Sequence, residues 1–383
     1  MGRVPRGSAM QVEQVTWAPQ RGWQRDAGLP EAQLVLVFGD RAAIGDPDLL
    51  QGLAARWPAA HIVGCSTAGQ ILGTDVFDEG AVATAVRFDG TTVDVATAPT
   101  TAADSAAAGA ALAVSLARPG LVHVIVISEG LDINGEALVR GLGERLPAGV
   151  SVTGGLSADG EHFRETVVLC NGQPRTNTVA AIGLYGSRLK VGYGSLGGWD
   201  SFGPERQITR SQGNVLYELD GQSALALYKR YLGAHAADLP ASGLLFPLSL
   251  RTRDVSAPVV RTILSVNEAD QSLTFAGDVP AGGYVRLMKA NFDRLIDGAV
   301  GAGRISAEAL GGPVDLALLI SCVGRRMVLR QRVEEEVEGV RDIVGPATPI
   351  TGFYSYGEIS PFTPQARCEL HNQTMTVTTL SER

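Results

Sequence analysis

Three segments of the sequence end in a short loop in which hydroxyl-bearing or other polar side chains lie between two glycines. These loops are residues 64–69, 155–160 and 352–357. Glycines let a ligand approach the backbone closely, and backbone N–H groups that follow a strand attract anionic groups. Three such loops in one chain predict a composite binding site for a small polar ligand.

The side chains on and near these loops supply the candidate site. Arg325 is expected to hold an anionic group, while loop N–H groups complete the cradle and Tyr354 and Tyr356 form its wall. The full set of candidate ligand-binding residues is Cys65, Ser66, Gly155, Ser157, Asp159, Cys322, Arg325, Tyr354, Ser355, Tyr356, Glu358, His371 and Asn372. We assign no catalytic residue and no metal ligand, because the five histidines lack the spacing of a metal site.

Two enzyme classes are disfavoured by the loop sequences. A phosphate-binding loop needs Lys after its second glycine, and Gln70, Glu161 and Glu358 stand there. A serine-hydrolase elbow needs glycine two residues after the nucleophile, where Ala68 and Asp159 are found. A cysteine nucleophile at position 65 or 322 stays open, although no base is adjacent in sequence. The pattern favours a binding module over an enzyme.

Composition restricts the class of protein further. The 383 residues, 45% of them hydrophobic and 19% charged, are enough for two domains with real cores. The net charge of −8 and the lack of a basic cluster argue against nucleic-acid binding. No apolar run reaches the length of a membrane span, and no secretory leader follows Met10. Widely separated cysteines indicate reduced thiols, so we expect a cytoplasmic protein. Residues 1–9 read as an expression scar.

The elements that must position the loops also recur. Residues 34–69, 122–160 and 316–357 each read as strand, helix and strand, with Asp46-Pro47 starting the first helix. Asp89-Gly90 and Asn171-Gly172 read as hairpin turns, the former joining strands 81–88 and 92–98 and the latter joining strands 166–170 and 178–185. Residues 284–300 read as a helix. The predicted fold class is α/β, with two mixed α/β domains built from repeated strand-helix-strand plus hairpin units. We expect domains at 30–200 and 201–383.

Several motifs resemble one known family. Residues 62–71 and 153–159 resemble the N-terminal FIST domain, and residues 322–325, 352–359 and 370–374 resemble the C-terminal FIST domain, in the same order along the chain. The resemblance implies a sensory, signal-transduction module that binds a small ligand, for which amino acids have been proposed. Because no kinase or cyclase segment is attached, its output would pass through a partner such as a histidine kinase.

The resemblance leaves the ligand and the chemistry open. Some bacterial members of the family resemble haem-binding nitric-oxide sensors that act on a histidine kinase, so haem is the candidate cofactor, with one of the five histidines as axial ligand. Two further hypotheses are a cysteine-dependent enzyme and a protein-interaction scaffold. Under none of these hypotheses does the protein bind nucleic acid or a membrane.

Overall fold

A computed structural model describes residues 10–24, 28–252, 258–275, 277–362 and 367–383. The expression scar predicted at residues 1–9 lies outside the described residues. The helices are α1 (Arg41–Ile44), α2 (Pro47–Arg56), α3 (Ser105–Leu116), α4 (Gly135–Arg145), α5 (Ala224–Leu232), α6 (Phe292–Leu310), α7 (Val323–Leu329) and α8 (Val333–Val344). In the described part of the chain, no helix is long and apolar enough to cross a membrane.

The strands are numbered along the chain. Those before residue 200 are β1 (Gln11–Ala18), β2 (Gly22–Trp23), β3 (Leu34–Gly39), β4 (His61–Ser66), β5 (Gln70–Leu72), β6 (Asp75–Phe77), β7 (Ala81–Arg87), β8 (Thr92–Pro99), β9 (Leu121–Ser128), β10 (Ser151–Leu156), β11 (Val168–Cys170), β12 (Gln173–Arg175), β13 (Thr178–Tyr185) and β14 (Leu189–Leu196). Those after it are β15 (Asp200–Gln212), β16 (Val215–Leu219), β17 (Gln222–Ser223), β18 (Leu248–Arg251), β19 (Val259–Arg261), β20 (Ile263–Asn267), β21 (Ser272–Phe275), β22 (Tyr284–Lys289), β23 (Leu316–Cys322), β24 (Ile350–Ser355), β25 (Glu358–Pro361), β26 (Cys368–His371) and β27 (Met375–Glu382). The fold is mixed α/β, as predicted.

Three units with one element order make up most of the molecule. Each begins with a strand (β1, β8 or β14) and continues into a parallel pair, β3 with β4, β9 with β10 or β23 with β24. A helix joins the two strands of each pair, and Asp46 caps the first such helix ahead of Pro47, as the sequence predicts. A hairpin and a closing antiparallel strand (β7, β13 or β27) complete the unit.

The units are interleaved because each hairpin joins the sheet of another unit. The sheet orders are β12-β11-β4-β3-β7-β1-β2, β26-β25-β10-β9-β13-β8 and β14-β27-β23-β24-β5-β6. The hairpin predicted at Asp89-Gly90 is therefore wrong: β7 and β8 lie in different sheets, so this dipeptide carries the chain from the first sheet to the second. The Asn171-Gly172 turn does form a hairpin, but it joins β11 to the short β12, whereas the predicted partner strand over 178–185 is β13 of the second sheet.

The three sheets share one apolar core. Strands β3, β9 and β23 contribute buried side chains to a single cluster, among them Leu36, Phe38, Ile125, Ile127 and Ile320. Helix α2 covers the outer face of the first sheet, and helices α3, α4, α6 and α8 cover the other two. Strands buried on both faces need continuous apolar sequence, which is the pattern in β3, β9 and β23.

A further sheet is inserted into the third unit. Strands β15 to β22 and helix α5 form a body with its own core, including Leu216, Tyr228 and Phe275. The helix predicted over residues 284–300 is wrong over nearly its first half, residues 284–291: β22 alternates exposed Tyr284 with buried Val285, and α6 starts only after the Asn291 cap. The domain boundary expected at 200/201 falls at the start of β15, and the third sheet takes strands from both sides of it.

Candidate functional site

The three loops predicted from the sequence contact one another. We call residues 66–69, 156–160 and 354–357 the loop junction. Backbone hydrogen bonds connect each loop to its neighbours: Ala68 N to Tyr354 O (2.9 Å), Tyr354 N to Gly69 O (2.8 Å), Ala158 N to Ser66 O (2.9 Å) and Leu156 N to Gly357 O (2.8 Å). The backbone groups expected to cradle a ligand are thus largely used between the loops.

The leading glycines are explained by strand packing. A Cβ on Gly64, Gly154 or Gly352 would lie 1.7, 2.0 or 1.8 Å from a carbonyl oxygen of the adjacent parallel strand. By strand register these three are equivalent, so the second loop begins at Gly154 and not, as predicted, at Gly155. Gly155 instead packs on the third unit, because a Cβ there would come within 2.7 Å of Ile320 Cγ2.

The first and second loops offer few free polar groups. The Ser66 hydroxyl accepts a hydrogen bond from Val167 N at 2.9 Å. Ser157 is buried, and its Oγ has no partner within the described ranges. Cys65 is fully buried, and that burial raises the pKa of its thiol. A thiol in such surroundings stays protonated near neutral pH and is a poor nucleophile.

Tyr356 and Asp159 tie the third loop to the second. The Tyr356 hydroxyl donates to the Asp159 carboxylate, and the ring stacks on Phe163 with centroids 4.3 Å apart. The second oxygen of Asp159 accepts the amides of Arg164 and Glu165, each at 2.9 Å. Burial and the bond to Asp159 raise the pKa of Tyr356. These two predicted site residues therefore join loops together.

Arg325 does not face a ligand, which corrects the role predicted for it. Its guanidinium is fully buried and pairs with the equally buried Glu336 carboxylate at 2.7 Å, while another N–H donates to Leu295 O at 2.6 Å. Tyr354 donates its hydroxyl to the same carboxylate at 2.7 Å. Both residues belong to a polar network inside the protein, because a buried charge needs a partner.

Cys322, Ser355 and Glu358 form a second buried group. The Glu358 carboxylate accepts hydrogen bonds from Ser355 Oγ (2.8 Å) and from the amide and hydroxyl of Thr374 (3.1 and 2.9 Å). Burial outweighs these donors and raises the pKa of Glu358 to about 8. Burial and the nearby Glu358 also raise the pKa of the Cys322 thiol. The arrangement does not generate a thiolate.

His371 and Asn372 lie inside the same region. His371 is buried, its Nε2–H donates to Ser360 O at 2.8 Å, and burial lowers its pKa to about 4. Asn372 is also buried, and neither polar atom of its side chain has a partner in the described part of the chain. Asn372 is thus the one predicted site residue whose whole amide is left unpaired among the described residues.

The buried histidines are committed to contacts within the protein. Both ring nitrogens of His123 contact hydroxyls, Ser151 Oγ at 2.7 Å and Thr153 Oγ1 at 2.9 Å. The Nε2 of His371 is bonded to a carbonyl. The cavities described below have no histidine in their walls. These three nitrogens are therefore not available as axial ligands of a haem, and among the described residues no group of three or more His, Cys, Asp or Glu would hold a metal ion.

A groove that the sequence did not predict borders the loop junction. It has a volume of about 620 Å³ and is lined by Arg41, Gly45, Glu165, Val167, Pro174, Arg175, Thr176 and Thr178. We call it the loop-side groove. Its walls come from α1, the segment before β11, and the β11–β12 hairpin that the second unit adds to the first sheet. Arg41 and Arg175 line one groove because of that exchange, so their spacing in the sequence gave no signal.

The loop-side groove combines two guanidinium groups with one carboxylate. Arg41 Nη2 lies 2.7 Å from Glu165 Oε1, and both side chains remain partly exposed. Val167, in the floor, bonds through both its N–H and its C=O to Ser66 of the loop junction. Val167 therefore connects the groove directly to Ser66 of the loop junction.

A smaller cavity of about 210 Å³ lies between the inserted sheet and the second and third units. Arg261 is buried in its wall, pairs with Glu136 at 2.9 Å and donates to Asp278 O at 3.2 Å. Burial raises the pKa of Glu369, which also lines this cavity. Because Arg261 is committed to protein acceptors, this cavity offers less to an anionic ligand than the loop-side groove does.

Comparison with known proteins identifies the family. The sequence model of the FIST N domain matches residues 33–222, and that of the FIST C domain matches residues 224–361. The chain belongs to the FIST family. FIST domains are in general sensor domains of signal transduction, which bind small ligands and signal to partners.

Curated proteins and solved structures add little to this assignment. No curated protein matches the chain. Among solved structures, cyanuric acid hydrolase from A. caulinodans aligns over 98% of this chain and 99% of its own, with 9% identity and a TM-score of 0.38. Within the FIST protein, the loop-side groove lies wholly in the FIST N segment, whereas Cys322 and Glu358 lie in the FIST C segment.

Proposed function

We propose that this FIST protein senses a small polar metabolite that binds in the loop-side groove. The observation that carries the proposal is that Arg41 and Arg175 line the same groove, together with the hydroxyl-bearing residues Thr176 and Thr178. Guanidinium groups bind carboxylates in a planar, charge-assisted geometry, and hydroxyls add orientation. Amino acids and other organic acids are the ligand class that suits these groups.

Hydrogen bonds also connect the groove to the loop junction, so that ligand binding in the groove would affect the loops. Its floor residue Val167 bonds to Ser66, and the neighbouring segment is held by Asp159, which in turn accepts the Tyr356 hydroxyl. In this proposal Ser66, Asp159 and Tyr356 couple the ligand to the rest of the protein, and they need not touch it. A histidine kinase or another signalling protein would read the change.

Two other candidate functions have less support. The haem-sensor hypothesis has less support because both ring nitrogens of His123 and the Nε2 of His371 already bond to protein groups. The cysteine-enzyme hypothesis would have to use thiols whose pKa burial raises, at Cys65 or Cys322. We also propose a cytoplasmic setting, which the free thiols among the described residues support, because reducing compartments disfavour disulfides.

A thermal-shift screen of amino acids and organic acids tests the proposed function. A ligand present at 100 times its Kd stabilises the folded state by about 2.7 kcal/mol, which is readily detected. We expect at least one compound to stabilise the wild type, and Arg175→Met to lose most of that effect. Arg87→Met is the matched control, because Arg87 is a partly exposed surface arginine on β7, outside the groove. A hit that Arg175→Met leaves intact would place the ligand elsewhere.

A further inference from the structure

The loop-side groove already contains a carboxylate of its own. Glu165 Oε1 lies 2.7 Å from Arg41 Nη2, at the guanidinium that the proposed function gives to the ligand. The side chains are 36% exposed for Arg41 and 55% exposed for Glu165, so this is a surface ion pair. Such pairs contribute little to stability, and a competing anion can replace one partner at small cost.

Arg41 keeps donor capacity that Glu165 does not use. Its Nε is buried and has no partner in the part of the chain that the structure describes. A planar carboxylate can bind a guanidinium through two parallel N–H groups at once, whereas the Glu165 contact involves one Nη atom. A free carboxylate that reached both nitrogens would therefore bind Arg41 better than the internal one does.

We infer that Glu165 is an internal competitor for carboxylate ligands in the loop-side groove, and that such a ligand displaces it from Arg41. This inference rests on the proposed function and adds to it the first step of signalling. The Glu165 amide is held by Asp159 at 2.9 Å, and Val167, two residues further, bonds to Ser66. Release of the Glu165 side chain therefore acts on the segment that touches the loop junction.

The Glu165→Gln variant tests the inference by calorimetric titration with succinate. It removes the competing charge and keeps the backbone amide that Asp159 holds. We expect succinate to bind about two- to fivefold more tightly than to the wild type, which is the range that loss of a surface ion pair allows. Arg41→Met combined with Glu165→Gln should abolish the gain. Glu161→Gln is the matched control, since it removes one exposed charge from the same loop.

The outcomes separate the inference from the proposed function. Unchanged or weaker succinate binding by Glu165→Gln overturns the inference, and so does an equal gain in Glu161→Gln. Failure of succinate to bind either protein also overturns it. In that case a hit in the metabolite screen that depends on Arg175 would leave the proposed function standing, whereas a screen without hits would remove both.

Discussion

The Arg325 guanidinium and the Glu336 carboxylate are both fully buried and form an ion pair, so each neutralises the charge of the other. Two adjacent arginines are indistinguishable in the sequence, yet Arg325 points inward while Arg326 bonds to Ala68 O and Asp78 at the protein surface. The partners of Arg325 are Leu295 in α6 and Glu336 in α8, which lie 30 and 11 residues away in the sequence. The sequence could show that arginines follow strand β23. It could not show which of the two side chains points into the protein, because that depends on packing.

Removing Arg325 should therefore destabilise the protein without being a ligand-site mutation. Arg325→Met leaves a buried carboxylate unpaired, and we expect the free energy of unfolding to fall by about 3–5 kcal/mol. Urea denaturation measures this change. The control Arg332→Met breaks exposed ion pairs and should cost less than about 1 kcal/mol. Near-equal stabilities of the two variants would contradict the buried-pair account.

Glu358 gives the protein a pH dependence of definite sign. Its pKa is raised to about 8 in the folded protein from an ordinary value of 4.5, so the folded state binds the proton more tightly than the unfolded state does. The stability due to this group is complete below pH 4.5 and is lost as the pH rises through 8.

The matching variant is Glu358→Gln, which keeps the shape and cannot ionise. Relative to wild type, we expect it to be increasingly stable as the pH is raised from about 5 to about 9. Chemical denaturation at several pH values gives the difference. If the difference between the proteins did not change with pH, Glu358 would be an ordinary carboxylate with no raised pKa.

At the scale of elements, the sequence predicted correctly those helix and strand boundaries that neighbouring residues determine. The Asp46 cap with Pro47 marks a helix start because both act within one turn. The hairpin prediction at Asp89-Gly90 was wrong because β7 pairs in the first sheet and β8 in the second, and such pairing depends on residues far away in the sequence. The helix predicted over 284–300 was wrong over nearly its first half because β22 pairs with β15 and β18 in the inserted sheet.

The glycines that precede the loops supply the test at this scale. Gly64→Ala, Gly154→Ala and Gly352→Ala would each force a Cβ to 2.0 Å or less from a neighbouring carbonyl oxygen. We expect each to destabilise the protein by several kcal/mol, about as much as a severe core defect. Thermal unfolding of the purified variants measures this.

A glycine outside these contacts serves as the control. Gly143 lies exposed on α4, and no atom lies within 4 Å of the place that a Cβ would take there, so Gly143→Ala should stabilise by about 0.5–1 kcal/mol. If Ala were tolerated equally at positions 64 and 143, the glycines would not be explained by strand packing, and ligand approach would become the better explanation.

At the scale of the whole molecule, the exchange of hairpins makes the two FIST segments interdependent. The third sheet takes β5, β6 and β14 from the FIST N side and β23, β24 and β27 from the FIST C side. The sequence revealed the three repeated units, because each carries its own apolar pattern. It did not reveal which sheet each hairpin joins, and the loop-side groove was missed for the same reason.

Interdependence predicts the behaviour of fragments. Residues 10–199 alone would leave the edges of two sheets and part of the shared core exposed, so we expect this fragment to aggregate or to unfold without cooperativity. Co-expression with residues 200–383 should restore a soluble complex that melts cooperatively. A monomeric fragment 10–199 with a sharp thermal transition would show that the exchange is not required for folding.

The central claim is that a small polar ligand occupies the loop-side groove, and hydrogen–deuterium exchange tests it most directly. Peptides of the wild-type protein would be compared with and without the best compound from the metabolite screen. The account predicts slower exchange in peptides covering residues 41–45 and 173–178, which form two walls of the groove. Protection confined to other parts of the chain, such as the cavity around Arg261, would contradict it.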